Sequence, residues 1–455
     1  MTAAALEFDP KVVPSLRAAR SALLKGQLTS VDLVTDALSA AQLCQESHNS
    51  FSVIAAEHAL DAARRSDRKR AGERIGSVEG LPIAVKDLID TAAIETRYGS
   101  KAYLGHVPVA DAAVVAKLKE QGAVIIGKTT THEFAWGVTT ESSSFGDTRN
   151  PHDPARIPGG SSGGMAAAAA GGAVAAGLGT DTGGSVRIPA ALCGVVGFKP
   201  TKGLWSLEGI FPLSPSLDHP GLIGRSVDDV VLLADALGMD PTCSDGRIPR
   251  VSILSGLIGL PPSAQVRALF EDAMARLRPE VIIDPRPLAY MFEGAFDMFS
   301  TIVLAEAGTY HFGLNDEAKF ADYEPETRSR LDIAKAVTIG SYANSLQRRR
   351  GFVAELDHQM REIDFLILPT TPCTAPRRGE PVITIGEWTG SVREALMTYT
   401  APFNLAGLPA ISLPLPVGAG ELPAGLQIVG RRGADAALLK FACTVETLLG
   451  RQGRR

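Results

Sequence analysis

The sequence predicts an α/β protein built around one mixed β-sheet with helices on both of its faces. Short apolar runs bounded by glycine, proline or threonine alternate with amphipathic helical segments over most of the chain. The apolar runs are residues 81–85, 122–127, 195–198, 251–254, 365–369, 410–416 and 425–430. Helical spacing is clearest at residues 113–121, 227–237 and 264–277. This alternation is typical of strands that are separated by helices.

The N-terminal part, residues 1–75, differs from the rest and predicts a helical segment. Apolar side chains recur there at helical spacing, and Thr29 or Ser30 can cap one of the helices. Residues 76–230 then hold the glycine-rich motifs with catalytic potential, and residues 231–455 supply the remaining strands and the walls of a substrate pocket. Length alone would suggest roughly three domains of about 150 residues each.

Composition and charge are those of an ordinary soluble globular protein. The chain has 455 residues, of which 45% are hydrophobic and 21% are charged, and its formal net charge is −5. No basic stripe indicates a nucleic-acid surface, and no apolar run is long enough to span a membrane. The N-terminus lacks a basic region followed by an apolar core, so no secretory signal is expected and the cytoplasm is the expected location.

The cysteines are scattered and predict neither a disulfide framework nor a metal site. They are Cys44, Cys193, Cys243, Cys373 and Cys443. No CxxC pair occurs among them, and no spacing typical of metal ligands is present. We therefore expect free thiols and no bound metal.

One motif resembles a nucleotide-binding loop but is not expected to act as one. Residues 122–129, GAVIIGKT, match the pattern GxxxxGK[ST] letter for letter. A phosphate-binding loop needs backbone N–H groups turned inward after the strand ends. Here the four variable positions are the strand itself, and they cannot wrap a phosphate.

A second motif resembles the nucleophile elbow of the α/β-hydrolases. Residues 159–163, GGSSG, match the pattern GxSxG, which must follow a strand directly. The preceding residues, NPHDPARIP, carry three prolines in nine positions and cannot be a central strand. An elbow serine also needs a histidine base, and none of His219, His311 and His358 stands in a context that suggests one. The elbow hypothesis is therefore disfavoured.

Three segments carry groups that can work together chemically. Residues 80–87, GLPIAVKD, place Lys86 at the end of an apolar strand, although a lysine there more often extends to the surface. Residues 158–164, PGGSSGG, form a glycine-rich loop before an alanine-rich helix. Residues 179–189, GTDTGGSVRIP, contain a serine after two glycines.

The chemistry of these segments centres on that serine, Ser185. The glycines before it allow backbone N–H groups to converge on one point, as an oxyanion hole requires. These N–H groups belong to Thr182, Gly183, Gly184 and Ser185. The serine needs a base, and Lys86 is the remaining candidate because no histidine is placed for that role. Burial would lower the pKa of Lys86 from about 10.4, and Ser161 can relay the proton between the two.

These segments resemble the motifs of the amidase signature family. The family has a lysine in G-[IL]-P-x-x-[IV]-K-D, a GGSSGG loop and a G-[ST]-D-x-G-G-S-x-R-x-P segment, and all three occur here in order. Further matching segments are residues 127–137, 193–201, 216–230 and 404–414, so the resemblance covers nearly the whole chain. It implies one large domain with a central mixed, twisted sheet that helices cover on both faces.

The resemblance implies a catalytic triad of Ser185, Ser161 and Lys86, with a cis peptide bond near Ser161 and Ser162. It implies that neither a metal nor an organic cofactor takes part. Arg187 is a candidate to bind a substrate carboxylate, although an arginine at this position is more often structural. Asp181 is expected to orient the loop rather than to react.

Other substrate-binding candidates lie near the end of the strand that follows Gly122. Thr130 stands where the family usually has asparagine, and His132 stands where an acidic residue is usual. Ala135 occupies a position that can face the substrate, and Ser162 lies beside the relay serine. These departures are expected to change which substrate is preferred.

The resemblance implies an amidase, and the leading hypothesis is a stand-alone enzyme that hydrolyses a small carboxamide or a ureido-type amide. Residues 137–164 and 216–221 are similar to hydrolases of biuret-type ureido compounds. The pocket walls are expected at residues 300–345 and 385–403. A small-molecule substrate and a homodimer are expected, without nucleic acid or membrane as a partner.

The alternative is the glutamine-hydrolysing A subunit of a tRNA-dependent amidotransferase. Members of that type generally carry a tyrosine–aspartate–glycine stretch after the helix at 300–310. This chain reads AEAGTYHFGLNDEAKF at residues 305–320 and lacks that stretch. A non-catalytic scaffold is a third hypothesis, and the intact triad disfavours it.

Overall fold

The computed structural model describes residues 12–69, 75–240, 248–256, 259–314 and 317–450. The helices are α1 (Leu16–Leu24), α2 (Ser30–His48), α3 (Ala56–Lys69), α4 (Ala113–Glu120), α5 (Gly163–Ala170), α6 (Arg187–Cys193), α7 (Val227–Ala236), α8 (Ala264–Leu277), α9 (Ala295–Gly313), α10 (Glu317–Ala321), α11 (Pro325–Ala334), α12 (Ile339–Gln359), α13 (Val392–Thr398), α14 (Ala401–Ala406) and α15 (Asp435–Leu448).

The strands alternate with these helices along the chain. They are β1 (Phe51–Ile54), β2 (Pro82–Lys86), β3 (Val124–Thr129), β4 (Ala176–Thr180), β5 (Val196–Lys199), β6 (Pro220–Gly224), β7 (Arg250–Ile253), β8 (Ile282–Ile283), β9 (Phe365–Pro369), β10 (Val382–Ile385), β11 (Trp388–Ser391), β12 (Ala410–Pro414) and β13 (Gly425–Gly430). The helix at residues 264–277 and the strands at 365–369 and 425–430 have the boundaries that the sequence predicts.

One mixed sheet organises the fold. From edge to edge its order is β1, β3, β2, β4, β6, β5, β12, β13, β9, β7 and β8, and β10 and β11 form a separate hairpin. Strands β3, β2 and β4 run parallel to one another, as do β9, β7 and β8. The other neighbouring pairs in the sheet are antiparallel. The single α/β domain with a mixed central sheet, expected from the sequence, is confirmed.

Helices cover both faces of the sheet. In β2, Ile83 and Val85 belong to one buried cluster, whereas Ala84 between them belongs to another. In β3, Ile125 and Ile126 divide in the same way. Helices α1, α4 and α7 contribute to the first cluster, and α2, α3 and α5 contribute to the second. This is the alternation expected of strands that are buried on both faces.

Several strands have no counterpart in the sequence-based prediction. The helical assignment of residues 1–75 is wrong at residues 51–54, which form edge strand β1, and residues 1–11 and 70–74 lie outside the described residues. Strand β4 reads AGLGT and has no β-branched residue before its last position, so its sequence does not predict a strand. Its neighbour requires this composition, because a Cβ at Gly177 would lie 2.2 Å from the Ala84 carbonyl oxygen.

The segment that resembles a phosphate-binding loop, residues 122–129, mostly belongs to a buried strand, as expected. Residues 124–129 form β3, and all six of them are buried. The amine of Lys128 donates hydrogen bonds to the Ile89 carbonyl and to the hydroxyls of Thr91 and Thr96. These contacts give the lysine a structural role.

In the described part of the chain, no helix is long and apolar enough to cross a membrane. The four cysteines described there are free thiols. The fifth, Cys243, lies outside the described residues.

Candidate active site

Lys86 ends β2 and is fully buried beside the end of β4. The two strands pair in parallel, with Ala84 opposite Gly177 and Val85 opposite Leu178. The Lys86 amine lies 2.7 Å from the Thr180 hydroxyl and 2.7 Å from the Ser161 hydroxyl. The carboxyl ends of neighbouring strands thus bring three polar side chains to one place, as is common for sites in α/β proteins.

The environment of Lys86 favours its neutral amine near neutral pH. Burial, which disfavours the ammonium form, lowers the pKa of Lys86 to about 7, and the more distant carboxylates of Asp181 and Asp218 only partly oppose this change. A substantial fraction of the amine is therefore neutral at pH 7 and able to accept a proton.

Ser161 lies in the glycine-rich loop that leads into α5. The peptide bond between Gly160 and Ser161 is cis, within the neighbourhood expected from the sequence. The Ser161 carbonyl accepts a hydrogen bond from the His132 N–H at 3.2 Å. One turn later, the Gly164 N–H donates to the Thr130 carbonyl at 3.2 Å. The end of β3 thus holds the loop that carries the relay serine.

Ser185 lies in the loop between β4 and α6. Its carbonyl accepts a hydrogen bond from the Ser162 N–H at 3.1 Å, which joins this loop directly to the residue after Ser161. The Ser185 side chain is nearly buried and lines a small cavity. The structure therefore places the Lys86–Ser161 pair next to the loop that carries Ser185, although the three residues come from separate parts of the sequence.

Three of the four N–H groups proposed for the oxyanion hole are free to serve it. In the described residues, the N–H groups of Thr182, Gly183 and Ser185 have no hydrogen-bond acceptor, and all three residues line the cavity. The Gly184 N–H instead donates to the Asp181 carboxylate at 2.8 Å. Gly184 is therefore wrongly included in the predicted hole, because Asp181 draws its N–H away.

Gly184 is required for another reason. Its φ is +129°, a conformation that side chains disfavour, and an added Cβ would lie 2.2 Å from the Thr400 hydroxyl. That hydroxyl donates to the Gly183 carbonyl at 2.6 Å. Thr400 thus holds the loop from the side opposite to Asp181.

Arg187 holds the serine loop rather than facing the cavity. It is fully buried, and its five N–H groups donate to the Asp181 carboxylate, the Thr400 carbonyl, and the side chains of Gln427 and Asn404. No donor of Arg187 is left for a substrate carboxylate. Of the two roles considered from the sequence, the geometry favours the structural one and contradicts substrate binding.

Asp181 orients the loop, as expected. Burial alone would raise the pKa of Asp181, but Arg187 and the Asn404 amide lower it well below its ordinary value. The carboxylate is therefore ionised, and it accepts hydrogen bonds from the N–H groups of Gly184 and Val186.

The cavity beside Ser185 is narrow. It is lined by Ala135, Trp136, Gly137, Val138, Thr182, Gly183, Ser185, Leu213, Phe299, Val303, Arg393 and Met397. The expected walls at residues 300–345 and 385–403 contribute three of these residues.

Ala135 lines the cavity, at the place where the sequence predicts a substrate contact, but two other candidates do not. The Thr130 hydroxyl lies 2.7 Å from the Thr148 hydroxyl, and the Ser162 hydroxyl donates to the Thr180 carbonyl at 3.2 Å. Both side chains are used inside the protein. Neither residue lines the cavity, and their assignment as substrate-binding residues stays a prediction.

The histidines considered as bases have other partners. His132 lies 3.0 Å from the Glu326 carboxylate. His219 is buried with its Nδ1 2.7 Å from the Leu217 carbonyl, and His311 stacks among aromatic rings. His358 lies on α12, whose sequence shows no catalytic motif. None of these rings lines the cavity.

Four residues at the site were not predicted from the sequence. Thr180, the second partner of the Lys86 amine, precedes Asp181 in a recognised motif, and this position is the signal that could have identified it. Thr400, Asn404 and Arg393 come from the C-terminal third and reach the site only through the fold. Within the described ranges, no group of three or more His, Cys, Asp or Glu residues is arranged to hold a metal ion.

A family model described as Amidase matches residues 32–439. The A subunit of the glutamyl-tRNA(Gln) amidotransferase of Symbiobacterium thermophilum is 35% identical over an alignment of 462 positions, gaps included, and the match covers 92% of this chain and 93% of that protein. Seven further relatives with the same name, from other organisms, are 33–36% identical.

Two solved structures are similar over nearly the full length. One, described as an amidase, has a TM-score of 0.89 and 35% sequence identity, and the match covers 95% of this chain and 99% of the other. The second is an inhibitor-bound vestigial protein complex described as revealing the evolutionary origins of an s-triazine catabolic enzyme. Its TM-score is 0.87 at 33% identity, and the match covers 96% of this chain and 99% of the other.

The structural role of Arg187 predicts a large loss of stability in an Arg187→Met variant. Removal of the guanidinium leaves the Asp181 carboxylate buried without its partner, which costs about 3–5 kcal/mol of the free energy of unfolding. Urea or thermal unfolding measures this loss. Arg17→Met is the matched control, because its ion pair with Asp228 is exposed and contributes at most about 1 kcal/mol. A stable Arg187→Met protein with only a raised KM would restore the substrate-binding role.

Proposed function

The chain belongs to the Amidase family of hydrolases that act on C–N amide bonds, and from this premise we propose that it works through an acyl-enzyme on Ser185. The observation that carries the proposal is the buried Lys86 amine, 2.7 Å from the Ser161 hydroxyl and next to the Ser185 loop. The loop supplies the nucleophile, and the lysine supplies the base that a serine hydroxyl needs.

In the first step, the Ser185 oxygen attacks the amide carbonyl carbon. Its proton passes to the Ser161 oxygen, and the Ser161 proton passes to the neutral Lys86 amine. The carbonyl oxygen becomes an oxyanion that accepts hydrogen bonds from the free N–H groups of Thr182, Gly183 and Ser185. These donors are already in place before the reaction, so they stabilise the developing charge without reorganisation.

The second half of the reaction returns the proton. The tetrahedral intermediate collapses, the C–N bond breaks, and the departing nitrogen takes a proton from Lys86 through Ser161. A water molecule then attacks the acyl-enzyme while the same relay removes its proton. The carboxylic acid leaves, and Ser185 is regenerated. Neither a metal nor an organic cofactor has a step in this sequence.

The first candidate substrate is a small carboxamide or ureido-type amide, hydrolysed by the protein alone. The narrow cavity and its mainly apolar wall support a compact substrate. The similarity to a structure described as an amidase supports hydrolysis of a simple amide, and the similarity to a protein complex linked to the origins of an s-triazine catabolic enzyme supports catabolic chemistry on a small nitrogen compound.

The second candidate is the glutamine-hydrolysing A subunit of a tRNA-dependent amidotransferase. The names of the curated relatives support it more directly than they support the first candidate. The missing tyrosine–aspartate–glycine stretch at residues 305–320 argues against it. The homodimer expected from the sequence stays a prediction under either candidate.

Covalent catalysis at Ser185 is tested with an active-site label. A fluorophosphonate should modify Ser185 in a digest, Ser185→Ala should lose measurable turnover, and hydroxylamine should convert the acyl-enzyme to a hydroxamate. Ser39→Ala, on the exposed face of α2, is the control and should keep full activity. Labelling of Ser161 with Ser185 unmodified would contradict the assignment and favour the elbow hypothesis.

The neutral Lys86 amine predicts a rising pH profile. Since the pKa of Lys86 is about 7, kcat/KM should fall about tenfold per pH unit below that value and level off above it. Lys86→Ala should lose roughly three orders of magnitude or more, as other catalytic triads do. Lys86→Arg should be no better, because a guanidinium stays protonated in this range.

Ser161→Ala provides the matched comparison for the relay. A water molecule can partly replace its hydroxyl, so this variant should lose less activity than Ser185→Ala. Near-normal kcat in Lys86→Arg would show that the base lies elsewhere, and His132 would be the next residue to replace.

The two candidate functions differ in what the purified protein does alone. With small carboxamides and ureides, we expect turnover that survives EDTA and needs no nucleotide or partner protein, with glutamine a poor substrate. Ammonia release is the measurement. If turnover appears only with glutamine, ATP and charged tRNA beside partner subunits, the amidotransferase assignment replaces the first candidate.

A further inference from the structure

One cation in the wall of the Ser185 cavity has no role in the proposed reaction. Arg393 lies on α13 and is half-buried, and it lines the same cavity as Gly183 and Ser185. Its guanidinium carbon lies 5.5 Å from the centre of the Phe296 ring. Arg393 makes no hydrogen bond to any residue that the structure describes. Its planar set of donors is therefore available to a ligand in the cavity.

The carboxylate that most favours the charged form of Arg393 is used by other groups. This carboxylate, Glu326, forms an ion pair with Arg330, and its second oxygen lies 3.0 Å from the His132 ring. Even with this ion pair, the Nη1 group of Arg330 is buried without an acceptor among the described residues. The two arginines thus depend mainly on one carboxylate, which contacts Arg330 and His132 and makes no hydrogen bond to Arg393.

The protonation of Arg393 reflects the same imbalance. Burial, and after it the neighbouring Arg330, lower the pKa of Arg393 to about 10, while Glu326 and Glu394 only partly oppose them. The guanidinium is still charged at pH 7. An anion placed against it would supply the compensation that the protein itself does not provide.

The remaining wall of the cavity determines which anion fits. Phe299, Val303, Leu213 and Met397 make it apolar, and among the described residues that line it none is acidic. A carboxylate thus finds a partner here, whereas an ammonium group does not. The wall distinguishes an acidic amide from an amino acid such as glutamine, which carries both groups.

We propose that the substrate is a small amide with a carboxylate a few bonds from the scissile carbonyl, and that Arg393 binds this carboxylate. The matching chemical class is the monoamide of a short dicarboxylic acid or a carboxylated ureide. The inference rests on the proposed function, because it assumes that the cavity beside Ser185 is the substrate site. It goes further in naming the substrate class and the residue that selects it.

The test compares acids with neutral amides of the same skeleton. Oxamate, malonamate, succinamate and glutaramate are each paired with the corresponding diamide, and glutaramate is also paired with glutamine, which adds only an α-amino group. Binding is measured by calorimetry on Ser185→Ala protein, so that the result does not depend on turnover. At least one monoamide should bind about 10- to 100-fold more tightly than its diamide. Glutaramate should bind more tightly than glutamine.

Variants at position 393 assign the preference to one side chain. Arg393→Met, made in the Ser185→Ala protein, should remove the difference between acid and diamide, and Arg393→Lys should keep part of it. Arg350→Met, which removes an exposed arginine from α12, is the matched control and should leave the difference unchanged. In the protein with Ser185 intact, the loss in Arg393→Met should be mainly a rise in KM for the acid.

Failures of the two proposals are distinguishable. If no monoamide binds more tightly than its diamide, or if Arg393→Met keeps the preference, the inference is overturned, whatever the catalytic result. If acids bind as expected but Ser185 is neither labelled nor needed for turnover, the inference on anion binding stands and the proposed function fails.

Discussion

The full burial of the Lys86 amine is the constraint on which the arrangement of the site depends. A buried ammonium is poorly tolerated without compensation, so the amine needs hydroxyl partners at fixed positions. Strand β4 supplies one of them, Thr180, and the close approach of β2 and β4 requires glycine at position 177. The loop after β3 supplies the other, Ser161. The lysine thus explains why a sequence with little strand propensity occupies a central position in the sheet.

A buried ion pair between Asp181 and Arg187 holds the loop that carries Ser185, the proposed nucleophile. A buried ion pair contributes little net stability, but it fixes geometry when every donor and acceptor is used, and here all five Arg187 donors are. Asp181 also takes the Gly184 N–H. The N–H groups on either side of Gly184 are left without acceptors among the described residues and line the cavity. The carboxylate therefore determines which N–H groups remain available for the proposed oxyanion hole.

The sequence predicts the parts of this molecule that depend on local patterns. Strands rich in branched apolar residues, such as β9, and helices with regular spacing, such as α8, have their predicted boundaries. Strand β4 was not predicted, because its glycine is required by the close approach of a neighbouring strand. No local sequence pattern indicates that contact. The same holds for Arg187 and Gly184. Both residues belong to recognised motifs. The Arg187 side chain, however, donates to Asn404 and Gln427, which are more than 200 residues away in the sequence. Gly184 packs against a residue that only the fold brings close to it.

In the proposed function, the residues that take part in the reaction and the residues that select the substrate come from different parts of the chain. The lysine, the serines and the N–H groups lie between residues 86 and 185, where the family motifs are found. The far wall of the cavity comes from α9 and α13, through Phe299, Arg393 and Met397. Relatives that are 33–36% identical can therefore share the reaction and still act on different amides. Since a cation in an apolar cavity discriminates by charge, the proposed role of Arg393 would make the side chain at this position more informative about the substrate than overall identity.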